Sequence, residues 1–244
     1  AGSGAVSSVN LNAVVDAIAN AGGQSHIGGL VELQTLVGAV ATIVSYADSN
    51  TNAAPTVSTY ANAGLSGVTS VNLAAINSAA DANAVSGVDT KTEMQALIDA
   101  YTFILAEANG AASDATPGAN PTIAQYTAIG ASIGSAASHV ESLQLLNDAV
   151  ASLTITSVDT VAEINALAAT VDKIMNLAAL PTGSAIPTGV PSMAELTALG
   201  LNTTLANTVA EQNAIWQAII DSNNSGTGVM TIIQLQALID AHSS

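Results

Sequence analysis

The stretch that decides the fold is Thr90-Lys91-Thr92-Glu93-Met94-Gln95-Ala96-Leu97-Ile98. Thr90 and Glu93 have the spacing of a capping box, in which the threonine side chain accepts from the amide three residues on and the glutamate reaches back to the cap amide. Downstream apolar residues recur at intervals of three and four and share one helix face. They are Met94, Leu97, Ile98, Tyr101, Leu105 and Ala108. The pattern predicts a long amphipathic helix with a buried seam.

The same pattern occurs three more times along the chain. Seventy residues later, Thr160 and Glu163 form a second predicted capping box, and Thr231 with Gln234 forms the glutamine version. The later seam consists of Ile164, Leu167, Ala168, Val171, Met175 and Ala178. Sixty-one residues before the first stretch, it consists of Leu33, Leu36, Val37, Val40, Val44 and Ala47, with Glu32 at the position of Glu93. In the last copy, His242 takes the position of Val40, Tyr101 and Val171.

Two shorter elements precede the long helix in each copy. The first begins at Pro55, Pro121 and Pro191, and in each case a Thr or Ser follows that can cap a helix and a Gly stands nine residues after the Pro. We therefore predict a short helix ended by Gly64, Gly130 or Gly200. The second element is an amphipathic helix whose matched core positions are Val15, Ile76, Leu146 and Trp216, each followed by a polar residue: Asp16, Asn77, Asn147 and Gln217.

These elements predict an all-α fold, a tandem array of small three-helix bundles of about 61–71 residues each. Residues 1–54 form a partial repeat with the last two helices only. Residues 55–120 and 121–190 are full repeats, and residues 191–244 form a repeat that ends at its third helix. Linkers rich in Gly, Pro, Ser, Thr and Asn are expected at 50–54, 110–120 and 181–190.

The composition excludes several classes of function. Two Lys+Arg stand against 18 Asp+Glu, which gives a net charge of −16, so binding to nucleic acid or to an anionic membrane surface is not expected. A hydrophobic fraction of 49% owes much to alanine. The most apolar stretch, 30–47, is interrupted by polar residues, so we expect no membrane span. The chain has no cysteine, so it forms no disulfide or thiolate metal site.

The segment 55–108 resembles helical repeats of giant secreted bacterial surface proteins of the adhesin or surface-layer kind. The residues that carry the resemblance are Pro55-Thr56, Tyr60, Gly64, Val68-Thr69, Val71-Asn72-Leu73-Ala74-Ala75-Ile76-Asn77, Asp89-Thr90 and Glu93-Met94-Gln95-Ala96-Leu97-Ile98. The third and fourth copies depart from this pattern where 134–137 and 202–204 replace 67–69. The resemblance implies export, an extracellular or cell-surface location, and a role as an extender, filament or lattice element.

No residue is predicted to be catalytic, cofactor-binding or metal-binding, and we expect the chain not to be an enzyme. The three histidines, His26, His139 and His242, have no metal-ligand spacing. The segment Gly130-Ala131-Ser132-Ile133-Gly134 only loosely resembles a nucleophile elbow, and a helix C-cap explains its glycines better. Trp216, the only tryptophan, is expected to fill the core.

The carboxylates have a structural interpretation. Glu32, Glu93 and Glu163 are expected to cap helices, and Asp89 and Asp159 to favour the helix N-termini that follow them. Calcium remains possible, at sites between repeats or subunits, but no Asp-x-Asp-x-Asp-Gly loop is present, and Asp114 and Asp221 stand singly like Asp89 and Asp159. No other cofactor is expected.

The leading hypothesis is a structural segment of an extracellular bacterial filament, surface layer or adhesin stalk. Its partners would be neighbouring repeats or further copies of itself. Because the first copy lacks a short helix, a neighbouring molecule could complete it and link subunits head to tail. Excision from a longer array would explain the same gap. The alternative is a three-helix-bundle module that binds a host or cell-surface protein. An ice-binding surface is disfavoured, because Thr clusters at caps and in loops.

Overall fold

The computed structural model describes residues 6–21, 27–110, 120–222 and 224–243, and in these ranges the chain is helical without any β-strand. The prediction of an all-α fold is therefore confirmed. The α-helices are α1 (Leu11–Ala19), α2 (Leu30–Asp48), α3 (Val57–Asn62), α4 (Leu73–Ala82), α5 (Lys91–Glu107), α6 (Ile123–Ala128), α7 (Val140–Ser152), α8 (Val161–Ala178), α9 (Met193–Ala198), α10 (Val209–Ser222) and α11 (Ile232–His242). Three short 3₁₀ turns, at Val85–Gly87, Gly134–Ala137 and Ile155–Ser157, were not predicted.

The described residues form two compact units. The first takes the described residues within 1–105, 124–131 and 159–161, and the second takes those within 106–123, 132–158 and 162–244. In the first unit, α2 packs against α1, α3 and α4. In the second, α10 packs against α11, and α11 also contacts α7. The division of the chain into repeats at 1–54, 55–120, 121–190 and 191–244 remains a prediction.

The long helices α2, α5 and α8 bury one face each, and most of the predicted seam lies on it. Every predicted seam residue of α5 is buried, but Leu33 and Val37 in α2 and Met175 in α8 are only half-buried. A further position was missed. It is held by Ile43, Ile104 and Ile174, which are all almost fully buried. The buried face is therefore wider than the seam that a heptad-like reading predicts.

The short helices end as predicted. Gly64, Gly130 and Gly200 have φ values of 75°, 77° and 96°, the left-handed conformation of a C′ glycine. The residue after each glycine donates its amide to the carbonyl five residues earlier, as Leu65 does to Tyr60 at 3.0 Å. This is the Schellman arrangement, and it repeats at Ala131 and Leu201.

Two positions predicted from the spacing are wrong. Val15 was matched to the core residues Ile76 and Leu146, but its side chain is 57% exposed, whereas Val14 is 4% exposed. The medium helices are therefore related by 62 residues, whereas the long helices are related by 61, because the separation between α1 and α2 is one residue longer than that between α4 and α5. His242 was placed at the buried position of Val40 and is exposed instead, in the last turn of α11.

Two helix starts also differ from the prediction. The N-cap of α2 is Gly29, which has no side chain to cap the helix, although the Glu32 carboxylate lies close to it. At the start of α11, Thr231 accepts from the Gln234 amide as expected, but the Gln234 side chain donates to the Thr227 carbonyl rather than to the cap. By contrast, Thr90 and Glu93 form the full capping box.

Helix α2 is long and apolar enough to cross a membrane. It has 19 residues, and its most apolar 18-residue window has a mean hydropathy of 1.5 and is 39% buried within the protein. Core helices of soluble proteins have the same properties, so the absence of a membrane span remains a prediction.

Candidate functional site

One contact recurs three times and joins helices that are far apart in the chain. The backbone amide of Lys91, the first residue of α5, donates to Asp16 Oδ2 in α1 at 2.7 Å. The Val161 amide, at the start of α8, donates to Ser78 Oγ in α4 at 2.9 Å. The Ile232 amide, at the start of α11, donates to Asp148 Oδ2 in α7 at 2.5 Å. In each case a medium helix supplies the acceptor and the long helix of the following predicted repeat supplies the donor.

The three acceptors hold equivalent positions. Asp16 lies 62 residues before Ser78, and Ser78 lies 70 residues before Asp148, which are the spacings of the medium helices. The first amides of an α-helix have no partner within the helix. A carboxylate or hydroxyl placed there satisfies one of them, and a carboxylate also interacts favourably with the helix dipole. We name these three hydrogen bonds the relay contacts.

The relay contacts are partly buried. Val161 and Ile232 are 3% and 4% exposed. Without the acceptor side chain, their amides would therefore have neither a protein partner nor ready access to water. Burial raises the pKa of Asp148, and the hydrogen bond from Ile232 opposes that rise. The acceptor residues were missed because Asp16 was aligned with Asn77 rather than with Ser78. The 62-residue spacing of the buried residues would have identified them.

A second recurrent contact anchors the short helices. The Asn77 side chain in α4 donates to the Pro55 carbonyl at 2.9 Å and accepts from the Tyr60 hydroxyl at 2.8 Å. Asn147 in α7 likewise donates to the Pro121 carbonyl at 3.0 Å. Burial is the main cause of a raised Tyr60 pKa. In α4 and α7, one asparagine side chain therefore fixes the chain at the start of a short helix, whereas the equivalent Gln217 in α10 donates to Asp221 instead.

The C′ glycines of two short helices lie against the end of the preceding medium helix. A Cβ on Gly130 would come within 3.1 Å of the Ala82 carbonyl, at the end of α4. A Cβ on Gly200 would come within 2.4 Å of Ser152 Oγ, at the end of α7. Ala82 and Ser152 are themselves 70 residues apart. The end of a medium helix and the C′ glycine of the next short helix therefore approach each other closely at two equivalent points, where an added Cβ would meet a neighbouring atom.

Exposed apolar side chains concentrate near the start of the chain. Of the 14 large apolar residues that are exposed in the described part of the chain, eight lie within 6–31. They are Val6, Val9, Leu11, Val15, Ile18, Ile27, Leu30 and Val31. Leu11, Val15 and Ile18 follow one another along a single face of α1. We name these eight exposed side chains the apolar patch, and exposed apolar groups of this kind are typical of interaction surfaces.

The second unit contains a polar cleft of about 250 Å³. It is lined by Ser135, His139, Glu141, Ser142, Met175, Asn176, Ala179, Asn224, Ser225 and Gly226. Ser135 Oγ lies 2.5 Å from Asp172 Oδ1 and 2.9 Å from Ser142 Oγ. His139 is exposed, and its imidazole has no hydrogen-bond partner among the described residues. The Ser135–Asp172 bond therefore ties a 3₁₀ turn to α8, and it is not part of a Ser-His-Asp relay.

A larger, more apolar cleft of about 570 Å³ lies between the end of α7, α8 and α9. Glu163 and Glu195 both line it. Lys173 Nζ lies 2.5 Å from Glu195 Oε1, and this is the only ion pair in the ranges that the structure describes. The ion pair is the main cause of a lowered Glu195 pKa, to which the Ser192 amide also contributes.

The remaining candidate residues are dispersed. Trp216 is buried in α10, as core filling predicts. Asp221 accepts from the Gly183 amide at 2.7 Å and thereby holds the linker at 181–190. His26 and Asp114 lie outside the described residues. Within the described ranges, no group of three or more His, Cys, Asp or Glu side chains is arranged to hold a metal ion.

Comparison with known protein families, with curated proteins and with solved structures yields no significant match to any of them.

Proposed function

We propose that this chain is a structural segment of an extracellular bacterial filament, surface layer or adhesin stalk, in which small helical repeats stack in series. The observation that carries the proposal is the threefold recurrence of the relay contact. Asp16, Ser78 and Asp148 each receive the first amide of a long helix 75, 83 or 84 residues further along the chain. A contact that repeats with the sequence period is typical of a repeat array, whose stability comes from neighbouring units.

The finer architecture belongs to the same proposal. Each full repeat would be a three-helix bundle of one short, one medium and one long helix, with boundaries at 55, 121 and 191. Its support is the pair of medium-helix asparagines, since Asn77 and Asn147 each bind the carbonyl of the proline that opens a short helix. The relay contact then joins one bundle to the next. Recurrent residues in this scheme stabilise helix ends and interfaces and perform no chemistry.

The composition supports a scaffold with closely packed neighbours. Charged residues make up only 8% of the chain, so lateral contacts between copies would desolvate few charges. The net charge of −16 disfavours polyanionic partners. The resemblance of residues 55–108 to repeats of giant surface proteins supports the extracellular location.

The location can be tested on cells that produce the protein. Antibodies raised against the purified chain should label intact cells, and brief protease treatment of those cells should remove the label without lysis. Electron microscopy of labelled cells should place the signal on filaments, on a lattice or on stalks. Label that appears only after permeabilisation would contradict the proposal.

A second candidate function is a binding module for a host or cell-surface protein. The observation in its favour is the apolar patch at 6–31, since one exposed patch on one repeat is what such a module needs. Serum and cell-surface extracts passed over the immobilised chain should then yield a partner. That partner should be lost when Val15 is replaced by Asp. Retention of the same partner by the variant would count against the patch.

A further inference from the structure

We infer that the cleft between the end of α7, α8 and α9 is a binding site for a small organic cation with an aromatic body and one protonated amine. The inference goes beyond the proposed scaffold role, because it assigns a ligand to residues that do not recur along the chain. The described residues that line the cleft all belong to the second compact unit. Its volume of about 570 Å³ lies within the range of small-molecule sites.

The cleft offers an apolar surface with room above it. Leu153, next to the end of α7, and Leu167 of α8 supply the larger apolar side chains. Ala166 and Ala169 of α8 and Ala198 of α9 complete the apolar lining, and all three are exposed. An apolar ligand that covers these side chains is itself removed from water, which favours binding in proportion to the area buried.

Two carboxylates, those of Glu163 and Glu195, line the same cleft, and no Lys or Arg is among its described lining residues. Glu195 Oε2 accepts from the amide and the hydroxyl of Ser192, and Glu195 Oε1 accepts from Lys173 Nζ. A carboxylate has about four acceptor positions, so Glu195 can accept from one more donor. The net charge of −16 also attracts a cation to the protein.

An organic amine fits these groups better than a metal ion does. Within the described ranges, no group of three or more His, Cys, Asp or Glu side chains is arranged to hold a metal. A protonated amine has three donors and needs no fixed coordination shell. The hydroxyls of Thr156, Ser157 and Thr197 also line the cleft and can accept from such donors.

The cleft lies where the junction of α7, α8 and α9 departs from the equivalent junction of α4, α5 and α6. In the earlier junction, Asn83 donates to the Ala128 carbonyl at 3.3 Å, a bond that the apolar Leu153 in its place cannot make. The earlier junction also has a half-buried aromatic residue, Phe103, at the position of Lys173. The aromatic body of a ligand would replace the ring that the later junction lacks. The pairs of residues that differ are Asn83 and Leu153, Asp99 and Ala169, Phe103 and Lys173, and Gln125 and Glu195.

Three probes with the same aromatic body separate the effect of shape from the effect of charge. They are 2-phenylethylamine, 2-phenylethanol and 3-phenylpropanoate, which carry a cation, a neutral hydroxyl and an anion. In NMR titrations of the 244-residue chain, the amine should cause saturable shifts at the residues that line the cleft. The alcohol should bind at least about fivefold more weakly, and the propanoate should not bind. Equal affinities for amine and alcohol, or amine shifts confined to other residues, would overturn the inference.

Filling the cleft should abolish binding of the amine. Ala166→Phe places a large side chain on an exposed lining position of α8. Ala96→Phe is the matched control, because Ala96 is the equivalent residue of α5 and is also exposed. Thermal unfolding establishes that both variants are folded. Binding that persists in Ala166→Phe, or that is lost equally in both variants, would place the site elsewhere.

Lys173→Gln tests the charge of the site without filling it, and it gives a result even if Ala166→Phe does not fold. The substitution releases Glu195 Oε1 from its ion pair. The amine should then bind at least about threefold more tightly, while the affinity for 2-phenylethanol stays unchanged. A change in the shape of the cleft alone would alter both affinities alike. An amine affinity that is unchanged or weaker would contradict the inference.

Discussion

Asp148 accepts a hydrogen bond from the backbone amide of Ile232, which lies 84 residues further along the chain. The carboxylate belongs to the medium helix α7 and the amide to the first residue of the long helix α11. Asp16 and Ser78 make the same bond with the starts of α5 and α8. The first amide of a helix has no partner within that helix. A side chain on a distant helix that accepts from this amide therefore couples the two helices.

Two substitutions of Asp148 distinguish its role as a hydrogen-bond acceptor from the effect of its negative charge. Asp148→Ala leaves the Ile232 amide without a partner in a buried environment, and should lower the free energy of unfolding by about 1–3 kcal/mol. Asp148→Asn keeps an oxygen acceptor and removes the carboxylate whose pKa burial raises. It should therefore change stability by less than about 1 kcal/mol. Urea denaturation at neutral pH measures both values, and equal losses in the two variants would contradict the assigned role.

Alanine substitutions at Gly130 and Gly38 test whether the left-handed backbone and the close contact with α4 require glycine. Gly130→Ala should destabilise the protein by about 1–3 kcal/mol, because φ is 77° there and the new Cβ would lie 3.1 Å from the Ala82 carbonyl. Gly38→Ala is the control, since Gly38 lies within α2 and an added Cβ meets no atom within 4 Å. It should stabilise the protein by about 0.5–1 kcal/mol. Thermal unfolding would refute the account if both changes had the same sign.

The Asn77 side chain should be coupled energetically to Tyr60. Tyr60→Phe removes one hydrogen bond and should lower the free energy of unfolding by about 0.5–1.5 kcal/mol. Asn77→Ala also leaves the Pro55 carbonyl without its donor and should lower it by about 1–3 kcal/mol. The double variant should cost less than the sum by at least about 0.5 kcal/mol.

An exposed asparagine offers the control for that cycle. Asn50 donates to Asp81 at 2.9 Å on the surface, so Asn50→Ala should cost no more than about 0.5 kcal/mol. Strict additivity of the Asn77 and Tyr60 changes would mean that their contact contributes nothing.

The Lys173–Glu195 pair predicts a small loss of stability in acid. The folded pKa of Glu195 is lowered, so its contribution is present above the unfolded pKa of about 4.3 and is lost as the pH falls through the folded value. Both side chains are about one-third exposed, which limits the effect to about 0.2–1 kcal/mol. Lys173→Gln should remove this part of the pH dependence between pH 6 and pH 3.

Lys91→Gln serves as the comparison, because Lys91 Nζ donates to the Asn20 carbonyl and not to a carboxylate. Its stability should keep the wild-type dependence on pH. If the stability of Lys173→Gln fell between pH 6 and pH 3 as much as that of the wild type, the ion pair with Glu195 would not be the cause of that loss.

The helices and their ends could be predicted because they depend on local chemistry. The left-handed glycines at 64, 130 and 200 and the capping box of Thr90 and Glu93 each involve residues close together in sequence. Helical periodicity likewise predicted most of the buried faces. The short 3₁₀ turn at Gly134–Ala137 has no such pattern, since Ser135 is held by Asp172 in another helix.

The relay contacts could not be predicted from a 61-residue spacing of the medium helices. A one-residue error placed Val15 in the core and matched Asp16 to Asn77, which hid its equivalence to Ser78 and Asp148. Periodicity alone cannot detect one extra residue in the loop after α1, because α1 has only nine residues from which to read its register. The exposed Leu30 was also beyond sequence reasoning, because its difference from Val161 depends on what covers it.

Amide hydrogen exchange measured by NMR on the 244-residue chain tests the relay contacts most directly. The amides of Lys91, Val161 and Ile232 should be protected, although first-turn amides of helices such as that of Val140 exchange freely. Ser78→Ala should abolish the protection at Val161 and leave that at Ile232 unchanged. Exchange at all three as fast as at Val140 would contradict the stacking of repeats through these contacts.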